Sequence, residues 1–361
     1  MLQTGPVPTS SDEQLVQVER VLAELRAGRP VSIVDEDGTA VVCLAMDGVQ
    51  GHELPALLAA REEAALLVLT PRRAAALGLA QGTSPFAIAA GELSTDDLTA
   101  MADPTRPQPA HRPNSGRNLP QGWAQAALDL TKLARLLPAA LVWQASDPGL
   151  LSIRTAEVRR FRTVAPVQLR QVAAAPVPLF DATDTRIVAF RPADGGREHL
   201  AIIVGDPAPG QPILARIHSE CFTGDLLGSL RCDCGDQLRG AIAAMAEAGA
   251  GVLLYMAQEG RGIGLVNKLR AYTLQDRGSD TLDANQLLGY DADERVYAPA
   301  AEMLRQMGFD RVRLLTNNPE KVRALTRHGI EVAARIPHHF PSNPHNEAYL
   351  TTKAARFGHL L

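Results

Sequence analysis

Residues 311–336, RVRLLTNNPEKVRALTRHGIEVAARI, predict a strand, a helix and a second strand in that order. RVRLLT and IEVAARI are short apolar runs, and the helix between them begins near Pro319 and ends before Gly329. Two strands joined by a helical crossover are most simply parallel, with a right-handed connection. This stretch therefore indicates an α/β fold.

The sequence before this stretch extends the same pattern. RIVAFRP, EHLAIIVGD and PILARIHSE predict strands over 186–220, and GVLLYMA at 251–257 predicts another. The glycine loop QEGRGIG and an amphipathic helix ended by Gly278 follow it. We expect a mixed sheet with helices in this half. Because the periodicity fades near Pro176, we predict two domains, 1–172 and 173–361.

The N-terminal half predicts a second α/β domain. PVSIVDEDGTAVVCLA, at 30–45, reads as a hairpin closed by an Asp-Gly turn. ALLVLT predicts a strand, and a helix begins near Pro71 and ends near Gly78. The polar, proline-rich stretch 94–121 predicts a long loop, and the residues from Gly122 predict a helix that leads into the strand AALVWQA.

Composition and charge exclude several classes of protein. Hydrophobic residues make up 46% of the 361 residues and charged residues 21%, as in ordinary globular chains. The net charge is 36 − 40 = −4, so no basic field indicates binding to nucleic acid or to an anionic membrane. No apolar run approaches the roughly 20 residues of a membrane span. The N-terminus lacks the pattern of a secretory signal, and we expect a cytoplasmic protein.

The strongest chemical signal is a cluster of three cysteines. Cys221, Cys232 and Cys234 form a C-x10-C-x-C pattern, whereas the rest of the chain has one cysteine. Three thiolates suit zinc (Zn²⁺), and three protein ligands leave a position for water, as in catalytic sites. Ordinary reduced thiols, and a structural zinc with His218 as an outside ligand, remain open. His218-Ser219-Glu220 matches the H-x-E of zinc deaminases, but their P-C-x-x-C is absent.

Two further segments are candidates for binding phosphate. The glycine loop with Arg261 follows a strand and precedes a helix, although it matches neither common nucleotide-binding pattern because residue 265 is Leu. Lys321 lies in the first turn of the helix that begins at Pro319, where a cation opposes the helix dipole unless it binds an anion. A plain turn and a solvated lysine are the alternatives. GYDADERVY, at 289–297, reads either as an acidic helix N-terminus or as part of a site.

The C-terminal half resembles the GTP cyclohydrolase II family, which catalyses the first step of riboflavin synthesis. The resemblance covers about 180–361 and is carried by RIHSECFTGDLLGSLRCDCGDQL, MAQEGRGIGLVNKLRAYTLQDRG, TLDANQLLGYDADER, RLLTNNPEK and NPHNEAYLTTKAARFGHLL. It implies that zinc, one ion per subunit, is bound by Cys221, Cys232 and Cys234. It also implies that zinc-activated water attacks guanine C8 of GTP and that formate and pyrophosphate leave.

The same resemblance assigns the remaining site residues. It implies substrate contacts from Arg216, Ile217, His218, Ser219, Glu220, Gln237, Glu259, Gly260, Arg261, Thr281, Thr316 and Lys321. Tyr272 is implied at the ring-opening site, Asp293 as the proton acceptor and Arg295 as the group that acts on the α-phosphate. Since an arginine stays protonated, we expect Arg295 to stabilise charge rather than to attack covalently. Magnesium (Mg²⁺) is expected on the triphosphate, and we expect a homodimer.

The N-terminal half resembles the 3,4-dihydroxy-2-butanone 4-phosphate synthase family in VSIVDEDG, ALLVLTPRRAAALGL and GWAQAALDLTKLARLLPAALVW. That family needs an acidic metal-binding loop after its first strand, but here Asp37 is followed by GTAVV. We therefore predict a degenerate, inactive synthase fold kept for assembly, stability or regulation. The alternatives are a zinc-stabilised GTP sensor without turnover, a zinc nucleotide deaminase and a bifunctional enzyme.

Overall fold

The structure, a computed structural model, describes residues 10–49, 53–59, 65–113, 115–144, 149–208, 210–358 and 360. Its contacts divide the chain into two compact units. The first unit comprises Met1–Val164, Val266–Ser279 and Asp283–Glu294, and the second comprises Ala165–Leu265, Asp280–Leu282 and Arg295–Leu361. The predicted two-part α/β organisation is confirmed. The boundary at 172/173 stays a prediction, and one strand, Leu169–Pro176, spans it.

The elements of both units follow in chain order. The helices are α1 (Ser10–Arg26), α2 (Leu54–Ala59), α3 (Pro71–Ala76), α4 (Thr95–Ala102), α5 (Trp123–Leu133), α6 (Thr155–Val164), α7 (Cys234–Glu247), α8 (Leu265–Asp276), α9 (Thr281–Leu287), α10 (Ala298–Gln306), α11 (Pro319–Arg327) and α12 (Glu347–Phe357). The strands are β1 (Val31–Val34), β2 (Ala40–Ala45), β3 (Leu66–Leu69), β4 (Phe86–Ala89), β5 (Arg117–Asn118), β6 (Ala139–Gln144), β7 (Ser152–Arg154), β8 (Leu169–Pro176), β9 (Thr185–Pro192), β10 (His199–Gly205), β11 (Ile213–Ser219), β12 (Ala250–Met256), β13 (Arg311–Leu315) and β14 (Glu331–Ile336). Within the described ranges, no helix is both long and apolar enough to cross a membrane.

The first unit is built on a sheet with the strand order β5-β4-β3-β6-β2-β1-β7. Its pairs are antiparallel except β1 with β7, which is parallel. The predicted hairpin is confirmed as β1 and β2, and Gly38 has a φ of 88° in the turn, a conformation that favours glycine. The apolar side chains of β2, β3 and β6 pack against α4, whose Leu98 and Met101 are buried.

The predicted long loop over 94–121 is wrong where α4 lies. Ser94 caps this helix, because its side chain accepts a hydrogen bond from the backbone N–H of Asp97. The Asp97 carboxylate in turn accepts from the Ser94 hydroxyl at 2.8 Å. The helix has only 8 residues and a polar first turn, so its apolar periodicity is too short to recognise in the sequence.

The second unit is built on a sheet with the strand order β14-β13-β11-β12-β10-β9-β8. β14, β13, β11 and β12 are parallel, and the other pairs are antiparallel. The predicted strand, helix and strand over 311–336 are confirmed as β13, α11 and the parallel β14. α7 covers one face of the sheet through Ala241 and Met245, whereas α10 and α11 cover the other through Leu304 and Leu325.

Candidate active site

The parallel strands of the second unit end at one edge of its sheet. From β11 the chain passes through α7 to β12, and from the neighbouring β13 it passes through α11 to β14 on the opposite side. The connections that follow these two adjacent parallel strands therefore run to opposite sides. They leave a crevice beyond the carboxyl ends of the strands, where ligands bind in open α/β sheets. Glu220 directly follows β11, Thr316 follows β13, and Gln258 and Glu259 follow β12 closely. These segments, far apart in sequence, therefore end at the same edge.

The three predicted metal ligands lie together next to this edge. Cys221 follows β11, and Cys234 is the first residue of α7. The Sγ atoms of Cys221, Cys232 and Cys234 all lie within 4.8 Å of one another, and those of Cys221 and Cys232 are 3.7 Å apart. Among the described residues, no histidine or carboxylate joins the group. The arrangement therefore offers three soft ligands and leaves a coordination position open for a non-protein ligand.

Gly224 shapes the surroundings of the three thiols. It lies in the π-helical turn Phe222–Leu226, and its backbone N–H donates to the Sγ of Cys221 at 3.3 Å. A Cβ at this position would lie 2.8 Å from the Sγ of Cys232 and 3.0 Å from that of Cys221. Only glycine fits between the thiols and the turn, so the turn closes directly over the cluster.

The thiols resist ionisation without a cation. Contact with the Cys221 thiol raises the pKa of Cys232 to about 11. Contacts with the Cys221 and Cys232 thiols raise the pKa of Cys234 well above its usual value, and burial acts in the same direction. A second and a third thiolate in so small a space would repel the first, and a bound divalent cation removes that penalty. The donor set therefore fits a soft or borderline metal such as zinc.

Asp225 connects the cysteine turn to two strands. Its carboxylate accepts hydrogen bonds from the Cys221 backbone N–H at 2.9 Å, the Tyr255 hydroxyl at 2.9 Å and the Nε2 of His218 at 3.0 Å. Burial lowers the pKa of His218 and raises that of Tyr255, so both stay neutral donors to the carboxylate. With its proton on Nε2, His218 directs Nδ1 as an acceptor, and this buried atom has no hydrogen-bond partner in the described part of the chain.

Arg216 links the end of β13 to α7. Its guanidinium donates to the Leu315 carbonyl at 2.9 Å and to the Oε1 of Gln237. Gln237 donates in turn to the carboxylate of Asp233, the residue between Cys232 and Cys234. Burial lowers the pKa of Arg216 to about 10, which leaves it charged at neutral pH. A buried cation thus lies at the crevice, and Gln237 and Asp233 connect it by hydrogen bonds to the segment that carries Cys232 and Cys234.

Lys321 is a second buried cation at this edge. Its Nζ donates to the Ile217 carbonyl at 2.7 Å, which ties the first turn of α11 to β11. This contact gives the lysine a protein acceptor at the helix N-terminus. Thr316 is also buried, and its hydroxyl accepts from the Asn318 backbone N–H at 3.0 Å. The substrate contacts predicted for Lys321 and Thr316 stay predictions.

The glycine loop approaches the cysteine turn through Glu259. This carboxylate is 3% exposed and accepts from the Phe222 backbone N–H at 2.6 Å and from the Gly260 N–H at 3.0 Å. Gly260 and Arg261 both have positive φ, 64° and 62°. Because the left-handed region is unfavourable for arginine, this geometry is held by its surroundings, as often occurs at binding sites.

The predicted site residues divide between the two units. Most belong to the second unit: Arg216, Ile217, His218, Ser219, Glu220, Gln237, Glu259, Gly260, Arg261, Thr281, Thr316, Lys321, Arg295 and the three cysteines. Tyr272, on α8, and Asp293 belong to the first. Arg295 lies before α10 rather than in a helix, with its guanidinium carbon 5.6 Å from the Tyr297 ring centre. The reading of 289–297 as a helix N-terminus is therefore wrong, since α10 begins at Ala298.

Sequence reasoning missed Asp225, Asp233 and Tyr255. Asp233 stands between two candidate ligands, and its position in the sequence was a usable signal that it lies at the site. Tyr255 is a polar residue near the end of the apolar strand β12, and its position at the sheet edge was a second signal. Asp225 had no recognisable pattern, because its partner Tyr255 lies 30 residues away and is brought near only by the folded sheet.

Three comparisons relate this chain to known proteins. A family model described as GTP cyclohydrolase II matches residues 170–337. A GTP cyclohydrolase-2 of Azospirillum brasilense is 52% identical over 366 residues, 95% of this chain and 93% of that protein. One from Xylella fastidiosa is 38% identical over 99% of this chain and 90% of its own length. One from Cronobacter sakazakii is 54% identical over 195 residues, 54% of this chain and 98% of that protein.

Solved structures give weaker similarities. A two domain 3,4-dihydroxy-2-butanone 4-phosphate synthase from A. baumannii aligns with 83% of this chain and 93% of its own, at 17% identity and a TM-score of 0.34. A cation-free 3,4-dihydroxy-2-butanone 4-phosphate synthase aligns with 41% of this chain and 97% of its own, at 15% identity and a TM-score of 0.33. Similarities at these TM-scores do not assign the fold of the N-terminal half.

Proposed function

The chain belongs to the GTP cyclohydrolase II family and is an enzyme of that class, and we propose the reaction and the site residues as follows. The enzyme hydrolyses GTP at guanine C8, releases formate and pyrophosphate, and leaves 2,5-diamino-6-(5-phosphoribosylamino)pyrimidin-4(3H)-one, the first intermediate of riboflavin synthesis. One observation carries this proposal: three clustered thiols without a fourth protein ligand among the described residues, placed at the carboxyl end of β11.

Cys221, Cys232 and Cys234 would hold zinc in this proposal. Zinc at such a site supplies a Lewis acid and makes water nucleophilic near neutral pH. Gly224 and the carboxylate of Asp225 keep the turn that carries the ligands in place, through the contacts of their own backbone and side-chain atoms. Magnesium would accompany the triphosphate, whose charge it offsets.

The residues at the sheet edge fit an anionic, hydrogen-bonding substrate. Arg216 and Lys321 are buried cations whose charge attracts a triphosphate. The Nδ1 of His218 is a buried acceptor, and Glu220 has a buried Oε2 without a hydrogen-bond partner in the described ranges. Such unsatisfied groups favour a ligand that donates hydrogen bonds, as the edge of guanine does. These observations support the substrate contacts that the family resemblance predicts.

The catalytic roles rest on the resemblance. Tyr272 would contact the ring as it opens, Asp293 would accept a proton, and Arg295 would stabilise charge at the α-phosphate. A guanidinium stays protonated in proteins, so it donates hydrogen bonds to a phosphate more readily than it attacks one. We therefore propose an electrostatic role for Arg295.

We propose that the N-terminal half has no synthase activity. The acidic segment directly after β1 is Asp35-Glu36-Asp37, and the Asp35 carboxylate already accepts from the Trp123 backbone N–H at 2.9 Å and the Thr155 hydroxyl at 3.0 Å. A carboxylate used in this way holds α5 and α6 next to β1. Formate released from ribulose 5-phosphate with magnesium present would contradict this part of the proposal.

A homodimer and a cytoplasmic location complete the proposal. β8 is an edge strand whose residues 170–176 are exposed, and the segment 171–176 carries no charge that would oppose pairing with a second copy. The cytoplasmic location is proposed because three reduced thiols need a reducing compartment. Light scattering coupled to size exclusion measures the mass of the assembly and contradicts the dimer if only monomer is found.

One assay tests the reaction. The purified full-length protein is incubated with GTP, zinc and magnesium, and formate, pyrophosphate and the diaminopyrimidine are measured together. Equal amounts of the three products support the proposal. A GTP sensor would bind GTP and release none of them, whereas a deaminase would release ammonia without formate.

A further inference from the structure

Two segments from the C-terminal half of the chain belong to the first unit. They are Val266–Ser279, which contains Tyr272, and Asp283–Glu294, which contains Asp293. Both segments therefore belong to the same unit as residues 1–164. The contacts that hold them are polar and specific.

Asp47 holds the first segment. Its carboxylate accepts from two nitrogens of Arg270, at 2.8 and 2.5 Å, in a bidentate pair. The same carboxylate also accepts from the Leu137 backbone N–H at 3.2 Å, and Asp103 lies 3.6 Å from the Nε of Arg270. Arg270 is two residues before Tyr272 on α8. The pair therefore fixes the rotation of this helix about its own axis.

A buried amide reinforces the same helix. Asn267 is 0% exposed, and its Nδ2 donates to the Arg135 carbonyl at 2.9 Å and to the Tyr290 hydroxyl at 3.0 Å. Tyr290 donates in turn to the Leu136 carbonyl at 2.5 Å. This chain of hydrogen bonds connects both segments to the end of α5.

The second segment, Asp283–Glu294, is held by hydrogen bonds to its backbone carbonyls. Arg73 donates to the Leu287 carbonyl at 3.1 Å, and the Thr70 hydroxyl donates to the Gly289 carbonyl at 2.8 Å. Gly289 has a φ of 91°, and a Cβ there would lie 2.8 Å from the Thr70 hydroxyl oxygen. The backbone thus passes so close to α3 that only glycine fits.

Lys132 holds the last residues of this segment. Its Nζ lies 2.6 Å from the Oε1 of Glu294 and 3.3 Å from the Oδ2 of Asp291. The lysine and Glu294 are both mostly buried, so solvent screens this pair less than a surface ion pair. Asp293 lies between the two acids that Lys132 binds.

We propose that the N-terminal half positions the segments that carry Tyr272 and Asp293, with Asp47 and Lys132 as positioning residues. The inference rests on the proposed function, because it gives those two residues catalytic roles. A polar group displaced by about 1 Å can cost on the order of 10²-fold in rate, so fixing the two segments has a measurable effect on turnover. In this chain the side chains that hold the two segments come from the N-terminal half.

The test compares Asp47→Asn with the matched control Asp129→Asn in the full-length protein. Asp129 also lies in the first unit, with its side chain 5% exposed against 12% for Asp47, and it pairs with Arg162 at 2.8 Å, but neither Asp129 nor Arg162 belongs to the two segments. We expect Asp47→Asn to lower kcat for formate release about 10- to 100-fold, with bound zinc unchanged. Asp129→Asn should lower the melting temperature by a similar amount and keep kcat within about twofold of wild type. An equal loss of kcat in both variants would overturn the proposal.

A second pair of variants and a second readout keep the proposal testable. Lys132→Met should lower kcat, and Lys132→Arg should restore most of it because a cation again reaches Glu294. Hydrogen exchange of peptides covering 266–294 should rise in Asp47→Asn and not in Asp129→Asn. Unchanged hydrogen exchange in Asp47→Asn would overturn the positioning proposal, whatever the activity of the wild-type protein. A wild-type protein that does not turn over GTP would instead refute the proposed function.

Discussion

A Cβ on Gly224 would lie 2.8 Å from the Sγ of Cys232, closer than real Cβ atoms come to a sulfur. The turn that closes over the three thiols therefore has no room for a side chain. Gly235 lies against Gly224 and has no more room, since a Cβ on Gly235 would lie 2.5 Å from the Gly224 carbonyl oxygen. The positions of the three thiols and the path of the backbone are thus coupled in this turn.

Gly224→Ala should weaken zinc binding about 10- to 100-fold, because the added methyl group pushes the turn away from the thiols. Competition with a chromophoric chelator measures the affinity. Gly91→Ala is the matched control, since a Cβ at Gly91 has open space around it. Zinc affinity equal to that of wild type in Gly224→Ala would show that the turn adjusts freely.

The sequence predicted the parallel strands around α11 because strong local signals agree there. Apolar runs bound the helix, Pro319 begins it and Gly329 follows it. α4 was not predicted, because a helix of 8 residues is too short to show a helical period of apolar residues in the sequence. In the site, the cysteine spacing was recognisable, whereas Asp225 has a partner 30 residues away, Tyr255, that only the folded sheet brings near.

Each of Cys221→Ser, Cys232→Ser and Cys234→Ser should lower bound zinc to a small fraction of one ion per chain, because a hydroxyl is a poor ligand and two thiolates remain. Metal analysis of the purified proteins measures this, and formate release should be abolished in parallel. Cys43→Ala, which changes the cysteine outside the cluster, should keep its zinc. Full zinc occupancy in all three serine variants would refute the assignment.

His338 should make the protein less stable in acid. Burial lowers its pKa from 6.5 to about 4 in the folded state, and the positive charge of Arg216 acts in the same direction. The unfolded chain therefore binds more protons between these values. The contribution of His338 is complete above about pH 6.5, and it is lost as the pH falls toward 4.

His338→Gln should flatten the fall in unfolding free energy across that window, by up to about 1.4 kcal/mol per pH unit. Glutamine retains a donor for the Gln237 carbonyl, which the His338 Nε2 contacts at 2.8 Å. Urea unfolding at a series of pH values measures the slope, and His328→Gln, an exposed histidine, is the control. A slope identical to wild type in His338→Gln would contradict the prediction.

Tyr272→Phe should lower the rate of formate release about 10²-fold or more, because it removes the hydroxyl proposed to act during ring opening. The ring itself remains, and so does its contact with Lys268, whose Nζ lies 5.7 Å from the ring centre. The melting temperature should therefore stay close to that of wild type. If single-turnover formate release keeps its rate, Tyr272 has no part in the chemistry.

Arg295→Lys separates the two halves of the reaction, because hydrolysis at C8 and cleavage at the α-phosphate need different groups. The lysine keeps a positive charge near the Tyr297 ring, which lies 5.6 Å from the guanidinium carbon, but it lacks the planar fork that binds two phosphate oxygens. We expect pyrophosphate release to fall on the order of 10²- to 10³-fold while bound zinc stays at the wild-type level. Formate and pyrophosphate are followed in the same quenched reaction, so that a loss confined to pyrophosphate is visible. Pyrophosphate release at the wild-type rate would remove Arg295 from the phosphate chemistry.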